Sequence, residues 1–249
     1  MSLDNFLLAK PNWISRRTDA SGIVFHAEIL IMRSRISLIL LLLKQGFDPG
    51  AIVTRLALRK ALEGCDSVLD VGCGTSMNLR WLGVKHPVGM EGHLPTLEKA
   101  RQKNTHDELV GGDVRALDQH FKPGQFDACI AMDVIEHLPK EDGFKMMEQM
   151  EKLARRKVVF LTPSGFLPQH SFDNNDLQEH LSGWEAAEME QRGYQVIGLL
   201  GPKSLRGEQH VLKGSPRIFW GLISLLGHIF WTRCRPAKAA AILCVKTKR

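Results

Sequence analysis

The chain has 249 residues, of which 44% are hydrophobic, and this length and composition fit one α/β domain with a sizeable core. Five cysteines, an odd number without a C-x-x-C pair, argue against a structural metal site and a disulfide framework and favour a reducing environment. The net charge of +6 is uneven: residues 1–60 and 202–249 are basic, whereas residues 61–201 hold fourteen Lys or Arg against twenty-two Asp or Glu. This pattern excludes a uniformly basic nucleic-acid binder and indicates an acidic body whose basic flanks meet something anionic.

The basic flanks are also the most apolar parts of the chain. They contain ISLILLLL, in the 29–43 part of a predicted helix, and IFWGLISLLGHIFW, in a helix predicted at 215–233. Both are shorter than the roughly 20 residues of a spanning helix, and two interpretations stay open: helices lying in a membrane interface, or helices buried in a core or a homodimer contact. Because a basic start followed by a long apolar run is missing, we expect no signal peptide and a cytoplasmic location, peripheral to the inner face of the membrane under the first interpretation.

Two helices are predicted first, over 21–44 and 50–62, and they form an N-terminal helical extension over residues 1–62. After it, short apolar runs alternate with helical segments, which predicts βαβ units and a parallel sheet covered on both faces. The runs are SVLDV, PVGM, ELVGGD, FDACIAM, RKVVFLT, YQVIGLL and AAAILCVKT. The predicted fold is a doubly wound, Rossmann-like α/β sheet of seven strands in a domain over 63–249, with a helical insertion at 202–236 before the last strand.

The stretch SVLDVGCGTSMNLRWL, which begins at Ser67, combines a buried strand, a glycine-rich turn and the start of a helix. Gly72 and Gly74 let the backbone turn tightly and approach a ligand without an intervening Cβ. A dinucleotide fingerprint has its third glycine where this chain has Met77. The turn therefore favours a ligand other than NAD or FAD.

Polar side chains follow the next predicted strands, at the edge of the sheet where ligands bind. Glu91 ends the second strand and is placed to accept hydrogen bonds from ribose hydroxyls. Asp113 follows the third strand and can accept from an exocyclic amino group, cap a helix, or do both. Asp133 ends the fourth strand and is expected to point into the crevice. Nearby His137 has a pKa suited to proton transfer, and it is either a general base or a structural histidine.

The order VLDVGCG, Glu91, GD at 112–113 and FDACIAMDVIEHLP resembles the class I S-adenosylmethionine-dependent methyltransferases over about residues 64–200. Later stretches such as FLTPSGFLPQ and LRGE resemble a small prokaryotic subgroup of the methyltransferase type 11 kind, and Ser76 is the one departure from the family's glycine loop. The resemblance implies an antiparallel last strand and S-adenosylmethionine as the cofactor. The cofactor-binding residues that it implies are Asp70, Gly72, Cys73, Gly74, Glu91, Gly92, Asp113, Val114, Met132 and Asp133.

We therefore expect an S-adenosylmethionine-dependent methyltransferase that aligns an acceptor with the sulfonium methyl group. The first interpretation is O-methylation of a small-molecule, glycan or glycolipid acceptor at a membrane surface, with His137 as the catalytic base and with His170 and His180 of a polar loop as further candidates. A soluble homodimeric methyltransferase of a small metabolite and a cofactor-binding homologue without catalysis are the alternatives. We expect no metal ion, and no nucleic acid as the acceptor, because the chain lacks both an aromatic and basic strip and an N-P-P-Y-type loop after the fourth strand.

Overall fold

A computed structural model describes residues 49–75, 79–171 and 176–248. The predicted helix at 29–43 and the two loop residues Ser76 and Met77 lie outside the described residues. The chain divides after Phe47, and the unit that follows contains every described residue. The predicted boundary at residue 62 stays a prediction.

The described residues form helices and strands that alternate along the chain. In order they are α1 Pro49–Ala61, β1 Ser67–Val71, β2 His86–Glu91, α2 Leu94–Gln102, β3 Glu108–Gly111, β4 Phe126–Met132, α3 Lys140–Leu153, β5 Ala154–Pro163, α4 Ala186–Gln191, β6 Gln195–Pro202, α5 Arg217–Phe230 and β7 Ala239–Thr247. Short 3₁₀ helices lie between them at Leu79–Leu82, Val114–Gln119, Ile135–His137, Asp176–Gln178, Lys203–Leu205, Glu208–His210, Thr232–Cys234 and Pro236–Lys238.

The seven strands form one sheet in the order β3-β2-β1-β4-β5-β7-β6. Neighbouring strands pair in parallel except at β7, which runs antiparallel to both β5 and β6. The predicted doubly wound sheet with an antiparallel last strand is therefore confirmed. The strand order reverses between β1 and β4, which is where a crevice for a ligand opens in sheets of this kind.

The central strands are apolar throughout because their two faces feed two separate cores. In β1, Leu69 and Val71 belong to the core beneath α3, whereas Val68 belongs to the core beneath α1. Leu58 of α1 and Met150 of α3 are fully buried in these two cores. A strand buried on both faces loses the alternation of apolar and polar residues, which explains the continuous apolar runs in the sequence.

Two local boundaries differ from the sequence-based expectation. After the glycine loop, the described residues form only the 3₁₀ helix Leu79–Leu82, which ends at Gly83 with a φ of +94°. Strand β5 begins at Ala154, two residues before the predicted run RKVVFLT, because Ala154 already pairs with Phe126.

The helical insertion before β7 is present, and α5 is its main element. The outer face of α5 exposes mainly apolar side chains, whereas Gly221, Ser224 and His228 are buried against the body of the domain. Within the described part of the chain, no helix combines the length and the apolarity needed to cross a membrane.

Candidate active site

A cavity of about 470 Å³ opens at the carboxyl ends of β1, β2 and β4, where the strand order reverses. Six of the residues predicted to bind the cofactor line it: Gly72, Cys73, Gly74, Glu91, Met132 and Asp133. The four others do not line it: Asp70, Gly92, Asp113 and Val114. The sheet therefore brings together the glycine loop and the ends of β2 and β4, but leaves the residues after β3 outside this cavity.

The two glycines of the loop after β1 have different physical roles. Gly72 has a φ of +66°, and a Cβ there would lie 2.6 Å from Cγ2 of Val134, so no larger residue fits. Gly74 has a φ of +54°, yet a Cβ there would meet no atom of the described residues within 4 Å. Between them, the N–H of Cys73 donates to the carbonyl of Met90 at 3.0 Å and fixes the loop to β2. The loop thus holds an open cradle for a ligand beside Gly74.

Glu91 joins this loop to the turn that leads into α2. Its Oε2 accepts a hydrogen bond from the N–H of Gly74 at 3.0 Å, and its Oε1 accepts one from the N–H of His93 at 2.9 Å. The residue is only 9% exposed and lines the cavity. Because each carboxylate oxygen has two lone pairs, both oxygens keep one for the hydroxyl groups of a ligand.

Asp70 is fully buried and faces away from the cavity. Its Oδ2 lies 3.2 Å from Nε2 of His106, and the other ring nitrogen of that histidine lies 2.8 Å from Oγ1 of Thr105. Burial raises the pKa of Asp70, and the hydrogen bond to His106 opposes that shift. The predicted contact of this carboxyl group with a cofactor stays a prediction.

Asp113 caps the 3₁₀ helix that begins at Val114, which is one of the two roles left open by the sequence. Its carboxylate accepts from the backbone N–H of Arg115 at 2.9 Å and from the guanidinium of the same residue. The hydrogen bonds to the Arg115 side chain lower the pKa of Asp113. Val114 is partly buried against the core. The contact of Asp113 and Val114 with adenine stays a prediction.

A second pocket of about 190 Å³ adjoins the first and shares with it Asp133, Gln178, Gln209 and His210. Asp133 therefore stands between the two spaces. Its side chain is 52% exposed to the cavity, yet burial of this end of the crevice raises the pKa of Asp133 to about 6. Three non-glycine residues here have a positive φ: Asp133, Gln209 and His210. Such backbone strain is concentrated at functional sites.

His137 and His180 line the second pocket, with their ring centroids 4.7 Å apart. Nδ1 of His137 lies 3.0 Å from the carbonyl oxygen of Glu179, and Nδ1 of His180 lies 2.6 Å from that of Leu167. A carbonyl oxygen only accepts, so each Nδ1 carries the proton and each neutral ring has its lone pair on Nε2. Burial lowers the pKa of both histidines, which favours this neutral form. His170 is exposed and lines neither cavity.

Glu136 lies beside these histidines and is 2% exposed. Its Oε2 accepts a hydrogen bond from Oγ1 of Thr162 at 2.9 Å, whereas its Oε1 is buried without a hydrogen-bond partner. Burial, with the nearby charge of Asp133, raises the pKa of Glu136 well above its usual range. No local sequence signal distinguishes this glutamate from a surface acid.

The insertion before β7 supplies site residues that the sequence pattern does not reveal. Arg206 and His210 line the first cavity, and Nε2 of His210 lies 3.9 Å from Oδ1 of Asp133. Arg206 is 4% exposed; it donates to the carbonyl oxygens of Leu200 at 2.8 Å and of His210 at 2.6 Å. It also reaches Oγ of Ser224 on α5 at 3.4 Å, so this arginine connects the cavity wall to the insertion helix.

Comparison with known proteins finds a family that matches part of this chain. Residues 69–162 match the protein family described as "Methyltransferase domain". The bovine (Bos taurus) 18S rRNA (guanine-N(7))-methyltransferase is 34% identical over 73 residues, which are 28% of this chain and 26% of that protein. The match thus spans about a quarter of the length of this curated relative.

One solved structure is similar in fold, and a second shows a weaker likeness. A SAM-dependent methyltransferase from Archaeoglobus fulgidus is 14% identical, with a TM-score of 0.51 over 79% of this chain and 93% of the other. The magnesium protoporphyrin IX methyltransferase of Synechocystis PCC 6803 is 15% identical, with a TM-score of 0.48 over 80% of this chain and 84% of the other. Residues 69–162 therefore match a methyltransferase domain, and the sheet has the antiparallel last strand that the resemblance to class I, S-adenosylmethionine-dependent methyltransferases implies.

Proposed function

We propose that this chain is an enzyme that transfers the methyl group of S-adenosylmethionine to an oxygen atom of a polar small-molecule, glycan or glycolipid acceptor at a membrane surface. The observation that supports this most directly is the pair of adjoining cavities on either side of Asp133. One has the glycine cradle that a cofactor needs, and the other has the histidines that a hydroxyl acceptor needs.

The residues of the larger cavity fit the cofactor. Gly74 has no side chain and no described atom near its missing Cβ, so a ligand can approach the loop closely. Glu91 keeps one lone pair on each carboxylate oxygen, which suits the two hydroxyls of a ribose. Met132 and Asp133 line the end of β4, where the reacting part of the ligand would lie. When bound, S-adenosylmethionine supplies a methyl group that is attached to a positively charged sulfur. As the methyl carbon bonds to the acceptor, its bond to sulfur breaks and the sulfur becomes a neutral thioether.

The smaller pocket fits a hydroxyl acceptor. A hydroxyl must lose its proton before its oxygen becomes a good nucleophile, and the lone pair on Nε2 of His137 is placed to accept that proton. The other lining groups are mostly amides, carboxyls and imidazoles, which hydrogen-bond to a polar acceptor. Among the described lining residues none is Phe, Tyr or Trp, so the pocket offers no stacking platform of the kind that binds a single-stranded nucleic acid.

Helix α5 supports the membrane part of the proposal. Its outer face exposes six large apolar side chains. Basic residues follow the helix at Arg233, Arg235 and Lys238. The exposed apolar residues are Ile218, Phe219, Leu222, Leu226, Ile229 and Phe230. An apolar helical face flanked by cations suits an interface with anionic lipids. The alternative is a subunit contact in a soluble dimeric methyltransferase.

A methyl-transfer assay tests the proposal. The purified chain would be incubated with methyl-labelled S-adenosylmethionine and with separate lipid, glycan, soluble-metabolite and RNA fractions of the source cells. Label in a lipid, glycan or soluble-metabolite product, located on oxygen by mass spectrometry, supports it. Label confined to RNA would replace the proposed acceptor, and a chain that binds S-adenosylhomocysteine but labels nothing would favour the non-catalytic alternative.

A further inference from the structure

Three side chains in the smaller pocket form a cluster that general-base chemistry does not require. Glu136, His137 and His180 each offer one potential ligand atom, and these atoms all lie within 4.8 Å of one another. A metal ion binds imidazole nitrogen and carboxylate oxygen ligands at about 2.0–2.2 Å, which places tetrahedral ligand atoms roughly 3.4 Å apart. The three side chains would therefore close around the ion by roughly 1 Å.

Both histidines are oriented as metal ligands usually are. The N–H of one ring nitrogen donates to a backbone carbonyl, that of Glu179 for His137 and that of Leu167 for His180. Such a hydrogen bond fixes the tautomer and leaves the lone pair of the other nitrogen for the ion.

Glu136 supplies an independent observation. Its Oε1 is buried without a hydrogen-bond partner, in a side chain that is only 2% exposed. A buried oxygen without a partner is unfavourable and is rare in folded proteins. Oγ1 of Thr162 holds the other oxygen at 2.9 Å, in the way that neighbouring residues support a ligating carboxylate. A cation bound between this oxygen and the two rings would satisfy it.

We propose that Glu136, His137 and His180 bind one divalent transition-metal ion of the Zn²⁺ or Mn²⁺ type. Two imidazoles and one carboxylate suit such an ion better than Ca²⁺, which prefers oxygen ligands alone. Three protein ligands leave a coordination position open, as in catalytic metal sites. The expectation that the chain holds no metal was based on the spacing of its cysteines, and none of the three residues is a cysteine.

The role of the ion, unlike its binding, rests on the proposed function. The cluster lines the pocket assigned to the acceptor, so the bound ion would polarise an acceptor hydroxyl and make its proton easier to lose. His137 would then act as a ligand instead of a general base, and the proton would pass to cavity water.

Metal titration of the full chain tests the proposal. After treatment with a chelator and desalting, the protein is titrated with Zn²⁺ and with Mn²⁺ by calorimetry, and the bound Mn²⁺ is followed by electron paramagnetic resonance. We expect one ion per chain, and at least tenfold weaker binding in Glu136→Gln and in His180→Asn. His170→Asn is the matched control, because His170 lies on the same loop but is exposed and outside the cluster.

Titration of the same samples with S-adenosylhomocysteine separates the two proposals and shows that each variant is folded. Loss of metal binding with unchanged affinity for S-adenosylhomocysteine supports the metal site. A wild-type chain that binds no ion, or Glu136→Gln and His180→Asn variants that bind it as tightly as the His170→Asn control, would overturn it. Metal binding without affinity for S-adenosylhomocysteine would contradict the proposed function and leave the metal site standing.

Discussion

The backbone N–H of Gly74 donates a hydrogen bond across 3.0 Å to Oε2 of Glu91, so one carboxylate links the glycine-rich loop after β1 to the end of β2. The other oxygen of Glu91 accepts from His93 at the start of the next turn. The carboxylate of Glu91 thus reinforces the link between the two strand ends at the larger cavity, where the N–H of Cys73 already donates to the carbonyl of Met90.

Replacing Glu91 should therefore affect both the loop and any ligand in the cavity. We expect Glu91→Ala to weaken the binding of S-adenosylhomocysteine more than tenfold, because hydrogen bonds to a charged acceptor contribute about 1.5–3 kcal/mol. Calorimetric titration measures this, with Glu98→Ala on the exposed side of α2 as the control. Normal affinity in Glu91→Ala would remove Glu91 from the cofactor site.

The two loop glycines should respond differently to alanine. Gly72→Ala combines a positive φ with a collision against Val134, so we expect it to lower the free energy of unfolding by about 2–3 kcal/mol. Adding Val134→Ala should recover part of that loss. Gly74→Ala has open space around it, so it should cost only about 1 kcal/mol of stability and instead weaken cofactor binding by narrowing the cavity. Urea unfolding and calorimetry together distinguish the two outcomes.

Asp113 and Arg115 allow a capping role to be separated from a binding role. Asp113→Ala removes a helix cap and should cost about 1 kcal/mol of stability. If its carboxylate also binds adenine, as the family resemblance implies, affinity for S-adenosylhomocysteine should fall about tenfold. Arg115→Ala frees the carboxylate from its ion pair and should leave that affinity within about twofold. Equal affinity in the wild type and Asp113→Ala would limit Asp113 to the cap.

The sequence predicts the sheet better than it predicts the site, for a physical reason. Strands such as β1 and β4 are apolar on both faces, so the sequence predicts them clearly. For the same reason, no alternation of apolar and polar residues remains to show which way a polar side chain points. This is why the sequence alone does not reveal that the carboxylate of Asp70 lies beside His106. Arg206 and His210 come from an insertion far along the chain, and only the packing of α5 brings them to the crevice.

The raised pKa of Asp133 predicts a pH-dependent stability. Because the folded-state pKa is about 6 and the usual value is 3.8, the folded protein favours the protonated acid. The stabilising effect of the neutral form is therefore complete below about pH 3.8 and is lost as the pH rises through 6. Asp133→Asn should thus stabilise the protein at pH 8 and have little effect near pH 4.

We expect that stabilisation to be about 1 kcal/mol, which is less than the full shift would give, because half of the side chain contacts cavity water. Thermal unfolding at the two pH values measures it. Asp118→Asn, on the exposed surface, is the control and should show no such pH dependence. An equal effect of Asp133→Asn at both pH values would show that the carboxyl group is not perturbed in the folded state.

The exposed face of α5 provides the last prediction. Leu222 and Leu226 are 50% and 54% exposed and lie one turn apart, so replacing both with Glu should change the stability by no more than about 0.5 kcal/mol each. If this face enters a membrane interface, each substitution removes roughly 1.5–3 kcal/mol of apolar burial, and the double variant should no longer float with anionic vesicles. Leu94→Glu, an exposed leucine on α2, should float like the wild type. The face would instead be assigned to a subunit contact by two results: a wild type that does not bind vesicles but is a dimer by light scattering, and a double variant that is a monomer. The same apolar burial would then stabilise association between two copies of the chain.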